Sequence, residues 1–253
     1  MIDRFRLGAN LATSANAILG IGAIVYLAAG NPPWAMVLIV AGIGFDGLDG
    51  LLSRRSGAGP SVFGRVADSV ADAITFGLAP AALLAFHPSD PGPWAGWGVV
   101  PLGIGIGYAV LAGARLVYFT GWAHDRADFL GVPTPQAALA VVLLALLFDA
   151  PGFLGRSPIV LVAGGSGLGV LMVVPIRFPK PRNAPILRPL TVLTGLLSVL
   201  ALVPIQFHPP PSSPEYLLSA VAATLAAIGL GAVYATGPWV IRSRERRAAE
   251  PSP

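Results

Sequence analysis

The sequence predicts an all-α fold, a polytopic membrane helix bundle with about eight transmembrane helices. Two features of composition carry this prediction, because 55% of the 253 residues are apolar and only 11% are charged. A soluble domain usually carries about 25% charged residues. The third feature is a series of apolar segments about 20 residues long, the length that crosses a bilayer as a helix.

Eight apolar segments are predicted to form the helices, and breaks rich in proline and glycine separate them. None of the breaks is long enough to be a domain linker, so residues 1–241 are predicted to form a single membrane domain. The polar residues 242–253 are predicted to be a disordered cytoplasmic tail. The segments lie near 9–29, 34–54, 63–86, 97–120, 133–150, 157–177, 187–207 and 215–240.

Lysine and arginine are distributed unequally between the two ends of the predicted helices. With eight spans, every one of them except Arg156 falls on the side of the chain termini. Because cytoplasmic loops carry the excess of basic residues, both termini are predicted to be cytoplasmic, in an integral protein of the cell membrane. The sequence pI of about 10.0 is therefore explained by basic residues at the cytoplasmic ends of the spans, and we expect no nucleic-acid partner. The chain has no cysteine, which excludes disulfides and thiolate metal ligands.

Four aspartates interrupt the second and third apolar segments near their predicted cytoplasmic ends. Asp46 and Asp49 are three residues apart, and Asp68 and Asp72 are four apart, so each pair projects from one side of its own helix. Carboxylates at membrane depth persist when they are paired, metal-bound or functional. Two neighbouring helices would gather all four in a small volume, where their repulsion requires protons or cations. An all-oxygen site favours Mg²⁺ or Mn²⁺, and two carboxylate-bridged ions suit phosphoryl chemistry.

The segment from Asp46 to Asp72 resembles the signature of the CDP-alcohol phosphotransferases. That pattern reads Asp, two residues, Asp-Gly, two residues, Ala-Arg, a spacer, Gly, three residues, Asp, three residues, Asp. Seven of its eight fixed positions match, and Ser53 replaces the usual alanine, a small-for-small change that we expect to be tolerated. The matching residues are Asp46, Asp49, Gly50, Arg54, Gly64, Asp68 and Asp72.

The resemblance implies an enzyme that transfers a phosphatidyl group from a CDP-linked lipid to an alcohol and releases CMP. It implies two bound divalent ions, with Asp46, Asp49 and Asp68 as metal ligands. Asp72, which also touches a metal, is implied to be the general base. The resemblance further implies a homodimer, and the predicted topology places the active site at the cytoplasmic leaflet.

Three residues of the same signature are implied to bind the CDP-lipid. Gly50 and Gly64 would let a flat cytidine or a phosphate approach the backbone, where any side chain would collide. Arg54 would supply positive charge to the pyrophosphate. Small residues would also let the two helices pack closely enough to share ions.

The amino-terminal segment 7–20 resembles the first helix of bacterial and archaeal phosphatidylserine synthases. In it, Asn10, Thr13 and Asn16 recur at three-residue steps on neighbouring turns, where they could hydrogen-bond a nucleotide. The alternative for these side chains is hydrogen bonding between helices. The resemblance implies L-serine as acceptor and CDP-diacylglycerol as donor, or CDP-archaeol if the source is archaeal.

Two later segments, 114–138 and 171–179, resemble the same synthases and contain Arg115 and Arg177. Serine is a zwitterion, and a fixed guanidinium can bind its carboxylate through two hydrogen bonds. Both arginines are therefore candidates for serine binding. The alternative for each is anchoring of the protein at the cytoplasmic membrane surface.

Two other functions stay open at this level. The same chemistry could serve choline, glycerol phosphate or inositol phosphate, and Arg65, Arg115 and Arg126 could bind a phosphate-bearing acceptor. A cation transporter would use the carboxylates as an ion pathway. Transport predicts polar residues throughout the membrane depth, whereas the middle of the predicted spans is nearly bare of them.

Overall fold

Helices make up most of the computed structural model, which describes residues 4–55, 62–86, 96–123, 128–149, 157–179, 188–207 and 213–249. A π-helical turn at Ala73–Leu78 joins the third helix to the fourth, and a second, Phe119–Ala123, extends the fifth. Two short strands, β1 (Asp128–Leu130) and β2 (Arg177–Pro179), pair antiparallel with Phe129 opposite Phe178. The helices are α1 (Arg4–Ala28), α2 (Pro32–Arg55), α3 (Val62–Asp72), α4 (Ala79–Phe86), α5 (Val100–Tyr118), α6 (Thr134–Asp149), α7 (Pro158–Val173), α8 (Arg188–Ile205) and α9 (Pro214–Ala249).

The lengths of these helices support a membrane protein. Within the described ranges, five helical segments are long and apolar enough to cross a membrane, and three further apolar helices are shorter. One of the shorter helices, α6, has 16 residues and rises only about 24 Å. Bilayer hydrocarbon is roughly 30 Å thick. The all-α membrane class is confirmed, while the number of about eight spans stays a prediction. The five segments long and apolar enough to cross a membrane are Arg4–Ala28, Pro32–Arg55, Val62–Phe86, Val100–Gly121 and Pro214–Ile241.

The turn between α1 and α2 follows directly from its sequence. Gly30 has a φ of 73°, the left-handed conformation that commonly ends a helix at glycine. Its N–H donates to the Leu27 carbonyl, and the Asn31 N–H donates to the Tyr26 carbonyl. The Asn31 side chain then accepts a bond from the Trp34 N–H at 3.3 Å, which caps the start of α2. This tight reversal makes α1 and α2 an antiparallel pair.

A junction around Thr75 fixes the position of α1 and α2 against the third helical segment. The Thr75 hydroxyl donates to the Asn16 carbonyl at 2.7 Å. A Cβ atom at Gly20 would lie 2.3 Å from the Thr75 hydroxyl oxygen, and one at Gly42 would lie 2.5 Å from the Thr75 methyl carbon. The missing side chains therefore allow three backbones to meet at one threonine.

The π-helical turn begins immediately after Asp72. Within it, the Ala79 N–H donates to the carbonyl of Ile74, five residues earlier. Pro80 has no N–H to give to the preceding turn. The buried Tyr108 hydroxyl from α5 instead donates to the Phe76 carbonyl at 3.3 Å. Such π-helical turns inside α-helices are frequently found at functional sites.

Helix α6 is the most enclosed element of the bundle, and it packs against α4, α7 and α9. Val141, Val142 and Leu143 are fully or almost fully buried. Helix α8 packs along α9, where the Ser219 hydroxyl donates to the Ala201 carbonyl. The core includes Ala23 of α1 and Ile39 of α2 as well as residues of α4 to α9, so it is continuous with two of the helices beside the aspartates.

The structure corrects the prediction for the polar tail. Helix α9 continues through Ala249, so residues 242–249 are helical, and only 250–253 lie outside the described residues. Alanine, arginine and glutamate are good helix formers, and extending an existing helix avoids the unfavourable nucleation step. Whether residues 1–241 form a single domain stays a prediction.

Replacing Gly20 by alanine should destabilise the bundle, because the new Cβ would overlap both the side chain and the backbone of Thr75. Overpacking of this kind costs about 1–3 kcal/mol. Thermal unfolding in detergent should show a lower Tm for Gly20→Ala. Gly103→Ala is the matched control, since a Cβ there meets nothing within 4 Å. An equal Tm in the two variants would contradict the close packing at Thr75.

Candidate metal and acceptor site

Three of the four predicted aspartates share one small volume. Asp46 lies near the end of α2, and Asp68 and Asp72 lie one turn apart on α3. One carboxylate oxygen of each lies within 4.8 Å of the others. All three side chains are partly buried. We call Asp46, Asp68 and Asp72 the acidic cluster.

Asp49 lies next to the acidic cluster but is not one of its three residues. Its side chain is buried, and its carboxyl group is a hydrogen-bond neighbour of Asp68. The Thr13 hydroxyl of α1 donates to Asp49 Oδ2 at 2.6 Å. Two adjoining carboxyl groups need either a shared proton or a cation between them. Asp49 is therefore placed to join the acidic cluster at the same ion site.

A second α1 side chain reaches Asp72. The Asn16 Nδ2 donates to Asp72 Oδ1 at 3.2 Å. Asn16 is fully buried, and its Oδ1 has no hydrogen-bond partner among the described residues. The Thr13 hydroxyl and the Asn16 amide thus each donate to a carboxylate, and the Thr13 hydroxyl also lies 3.1 Å from the Ala9 carbonyl oxygen of its own helix.

Arg54 lies in the last turn of α2, near the same carboxylates. It is exposed and exerts an electrostatic attraction on Asp46 and Asp49. A Cβ atom at Gly50 would lie 3.2 Å from Arg54 Nη1. The absence of a side chain at Gly50 thus leaves room for the guanidinium to lie along the helix. An exposed guanidinium beside an acidic site can bind an anionic ligand.

The chemistry of these donors fits a divalent cation. The acidic cluster offers carboxylate oxygens alone, which hard cations such as Mg²⁺ and Mn²⁺ prefer. Asp68 Oδ1 is buried and accepts no hydrogen bond within the described part of the chain. A buried acceptor without a donor is unfavourable, and a cation would satisfy it.

A buried guanidinium lies deeper in the bundle, on α5. Arg115 is 6% exposed and lies within electrostatic range of Asp72. Its Nη1 donates to the Thr134 hydroxyl at 3.2 Å, and its Cζ lies 4.4 Å from the centre of the Phe119 ring. Its Nε has no partner among the described residues. A buried cation with an unused donor is suited to receive an anionic group.

Three other predicted residues are Asn10, Gly64 and Arg177. Asn10 is exposed on α1, one turn before Thr13. Gly64 lies in the first turn of α3, on the same helix as Asp68. Arg177 is exposed on β2, opposite Leu130 of β1. Of the two arginines considered for an acceptor carboxylate, only Arg115 is buried.

Sequence reasoning missed the surroundings of Arg115. Tyr108 and Tyr234 are its electrostatic neighbours, and the Tyr234 ring packs edge-to-face on Phe178 at 5.0 Å. Tyr234 also lines an apolar cavity of about 330 Å³ between α6, α7 and α9, together with Gln136. Gln136 Oε1 is buried without a partner among the described residues. Polar residues in otherwise apolar spans were the only sequence signal for this region.

Comparison with known proteins identifies relatives whose similarity covers the part of the chain that carries the aspartates. A family model described as CDP-alcohol phosphatidyltransferase matches residues 6–174. The chain is 33% identical over 182 residues to a protein of Helicobacter pylori named CDP-diacylglycerol–serine O-phosphatidyltransferase, covering 71% of this chain and 74% of that protein. A protein of Bacillus subtilis with the same name is 32% identical, covering 66% and 86%. One of Methanocaldococcus jannaschii, also of that name, is 32% identical, covering 58% and 64%.

Replacing Asp68 by asparagine should weaken binding of Mn²⁺. Even partners that only orient a metal ligand contribute about 10–100-fold to affinity, so loss of a ligand should reduce affinity by about tenfold or more. Titration of the purified protein with Mn²⁺, followed by electron paramagnetic resonance, measures this directly. Glu215→Gln is the control, because Glu215 is exposed in the first turn of α9. Equal affinity in the Asp68 variant and wild type would remove Asp68 from the ion site.

Proposed function

Because the chain belongs to the CDP-alcohol phosphatidyltransferase family, we propose that it transfers the phosphatidyl group of CDP-diacylglycerol to L-serine. The products are phosphatidylserine and CMP. The relatives named above support serine as the acceptor and CDP-diacylglycerol as the donor. CDP-archaeol is the alternative donor if the source is archaeal.

One structural observation carries the choice of acceptor. Arg115 is buried, has an unused Nε donor and lies within electrostatic range of Asp72. L-serine has a hydroxyl that must lose a proton and a carboxylate that needs a cationic partner. A serine with its hydroxyl at Asp72 and its carboxylate at Arg115 satisfies both requirements.

The acidic cluster and Asp49 would hold the divalent ions, Mg²⁺ or Mn²⁺. When bound, such ions neutralise pyrophosphate charge and stabilise CMP as the leaving group. Arg54 would bind the pyrophosphate from the exposed end of α2, and Gly50 and Gly64 would leave room for the nucleotide. These residues orient the donor so that its lipid-linked phosphate faces Asp72.

Asp72 would act as general base. It accepts the proton of the serine hydroxyl while the hydroxyl oxygen forms a bond to the lipid-linked phosphorus. The bond from that phosphorus to the oxygen of CMP breaks, and CMP leaves with the electron pair. No covalent enzyme intermediate is needed, so one in-line displacement at phosphorus completes the reaction.

The site would face the cytoplasm. The amino end of α1, the carboxyl end of α2 and the amino end of α3 occur together, and basic residues are concentrated in this part of the chain. The positive-inside rule places such an end at the cytoplasmic leaflet. Serine and CMP are water-soluble, so both exchange with the cytosol there. The homodimer implied by the family resemblance stays part of this proposal.

The acceptor is tested by supplying the purified protein with CDP-diacylglycerol and one alcohol at a time. We expect CMP release with L-serine, and little with choline, glycerol phosphate or inositol phosphate. Chelation of divalent ions should abolish release, and added Mg²⁺ or Mn²⁺ should restore it. Faster release with another alcohol would assign that acceptor instead, and full activity in chelator would remove the metal from the proposal.

Replacing Arg115 by lysine should raise the KM for serine by about tenfold or more, because lysine keeps the charge but loses the two-bond geometry. The KM for CDP-diacylglycerol should stay within about twofold. Steady-state CMP release measures both constants. Arg6→Lys, an exposed change on α1, is the control. If Arg177→Lys raises the serine KM and Arg115→Lys does not, the carboxylate binds at β2.

A further inference from the structure

Helix α1 contributes two polar side chains to the aspartates, and each contacts a carboxylate from a different helix. Thr13 donates to Asp49 of α2 at 2.6 Å. Asn16, about one turn later, donates to Asp72 of α3 at 3.2 Å. Helix α1 therefore bridges the two helices that carry the family signature.

The position of Asn16 is fixed by its surroundings. Its side chain is fully buried, and its backbone carbonyl accepts the Thr75 hydroxyl at 2.7 Å. Its Oδ1 lies 3.0 Å from where a Cβ would stand on Gly42. A side chain so enclosed has no space to turn toward a nucleotide at the exposed end of the site.

We propose that Thr13 and Asn16 are positioning residues, which act by holding Asp49 and Asp72 through hydrogen bonds, and that the enclosed Asn16 does not contact the nucleotide. The proposal rests on the proposed function and assigns these two residues a role within it. Both donors are neutral. They therefore fix the orientation of a carboxylate without adding charge to a site that already contains four acidic groups.

The two contacts have separable consequences. Thr13 holds Oδ2 of Asp49, which leaves Oδ1 available to an ion at the acidic cluster. Asn16 holds Oδ1 of Asp72, which leaves Oδ2 to receive the serine proton. Loss of the first contact should affect ion binding most, and loss of the second should affect turnover most.

The test compares Thr13→Val and Asn16→Leu with wild type, because each removes the donor at nearly constant volume. Thr13→Val should weaken Mn²⁺ affinity by about 10–100-fold, measured by electron paramagnetic resonance without substrate. Asn16→Leu should lower kcat for CMP release by about 10–100-fold, toward the level of Asp72→Asn. In both variants the KM for CDP-diacylglycerol should stay within about twofold.

Three further variants make the result specific. Thr13→Ser keeps the hydroxyl and should restore Mn²⁺ affinity. Ser14→Ala is the control, because the Ser14 hydroxyl donates to the Asn10 carbonyl of its own helix and, among the described residues, to no aspartate. If Asn16→Leu does not fold, as judged by its Tm in detergent, Asn16→Ser should show the same loss of kcat, since serine is too short to reach Asp72.

A raised KM for CDP-diacylglycerol with unchanged kcat and Mn²⁺ affinity would overturn the proposal, because it indicates a nucleotide contact. Unchanged constants in both variants would overturn it as well. Failure of the proposed function is distinguishable, since it appears as a wild-type protein that releases no CMP with any alcohol. The Mn²⁺ titration of Thr13→Val does not depend on that activity.

Discussion

The constraint on which this structure depends is mutual repulsion among carboxylates inside an apolar bundle. Two unit charges 4 Å apart repel by about 4 kcal/mol at an effective dielectric constant near 20. A hydrogen bond to a charged group returns about 1.5–3 kcal/mol. The bonds from Thr13 and Asn16 are therefore too weak to offset several such repulsions. Protonation or a bound cation can offset such repulsions, and the two hydrogen bonds fix the orientation of the Asp49 and Asp72 oxygens in either case.

The close packing of the first three helical segments follows from the same constraint. Carboxylates from α2 and α3 can share an ion only if the backbones approach closely. Gly20 and Gly42 provide that approach, because a side chain on either would collide with Thr75. Gly20 and Gly42 thus affect the site indirectly, because they allow the helices that carry the aspartates to pack closely.

Much of the fold and the centre of the site could be predicted from the sequence. The spacing of the aspartates placed Asp46, Asp68 and Asp72 together, and Gly30-Asn31-Pro32 encodes the reversal between α1 and α2. Thr13 and Asn16 were recognisable as polar groups in a span, but their partners lie 36 and 56 residues away. Helical periodicity reports which residues share a face and not which helix that face meets. The same limitation left Arg115 and Arg177 equivalent until burial distinguished them. The hydrogen bond from Tyr108 to the Phe76 carbonyl could not be predicted from the sequence either, because it replaces a backbone hydrogen bond that Pro80, which has no N–H, cannot donate.

The π-helical turn at Ala73–Leu78 has a wider consequence for how this segment is built. One extra residue in a turn rotates everything beyond it by about 100° relative to an uninterrupted helix. The stretch before the turn can point its carboxyl groups at an ion, while the stretch after it points Leu83 and Leu84 into the core. The two stretches of this segment therefore present different faces, one toward the carboxylate site and the other toward the core.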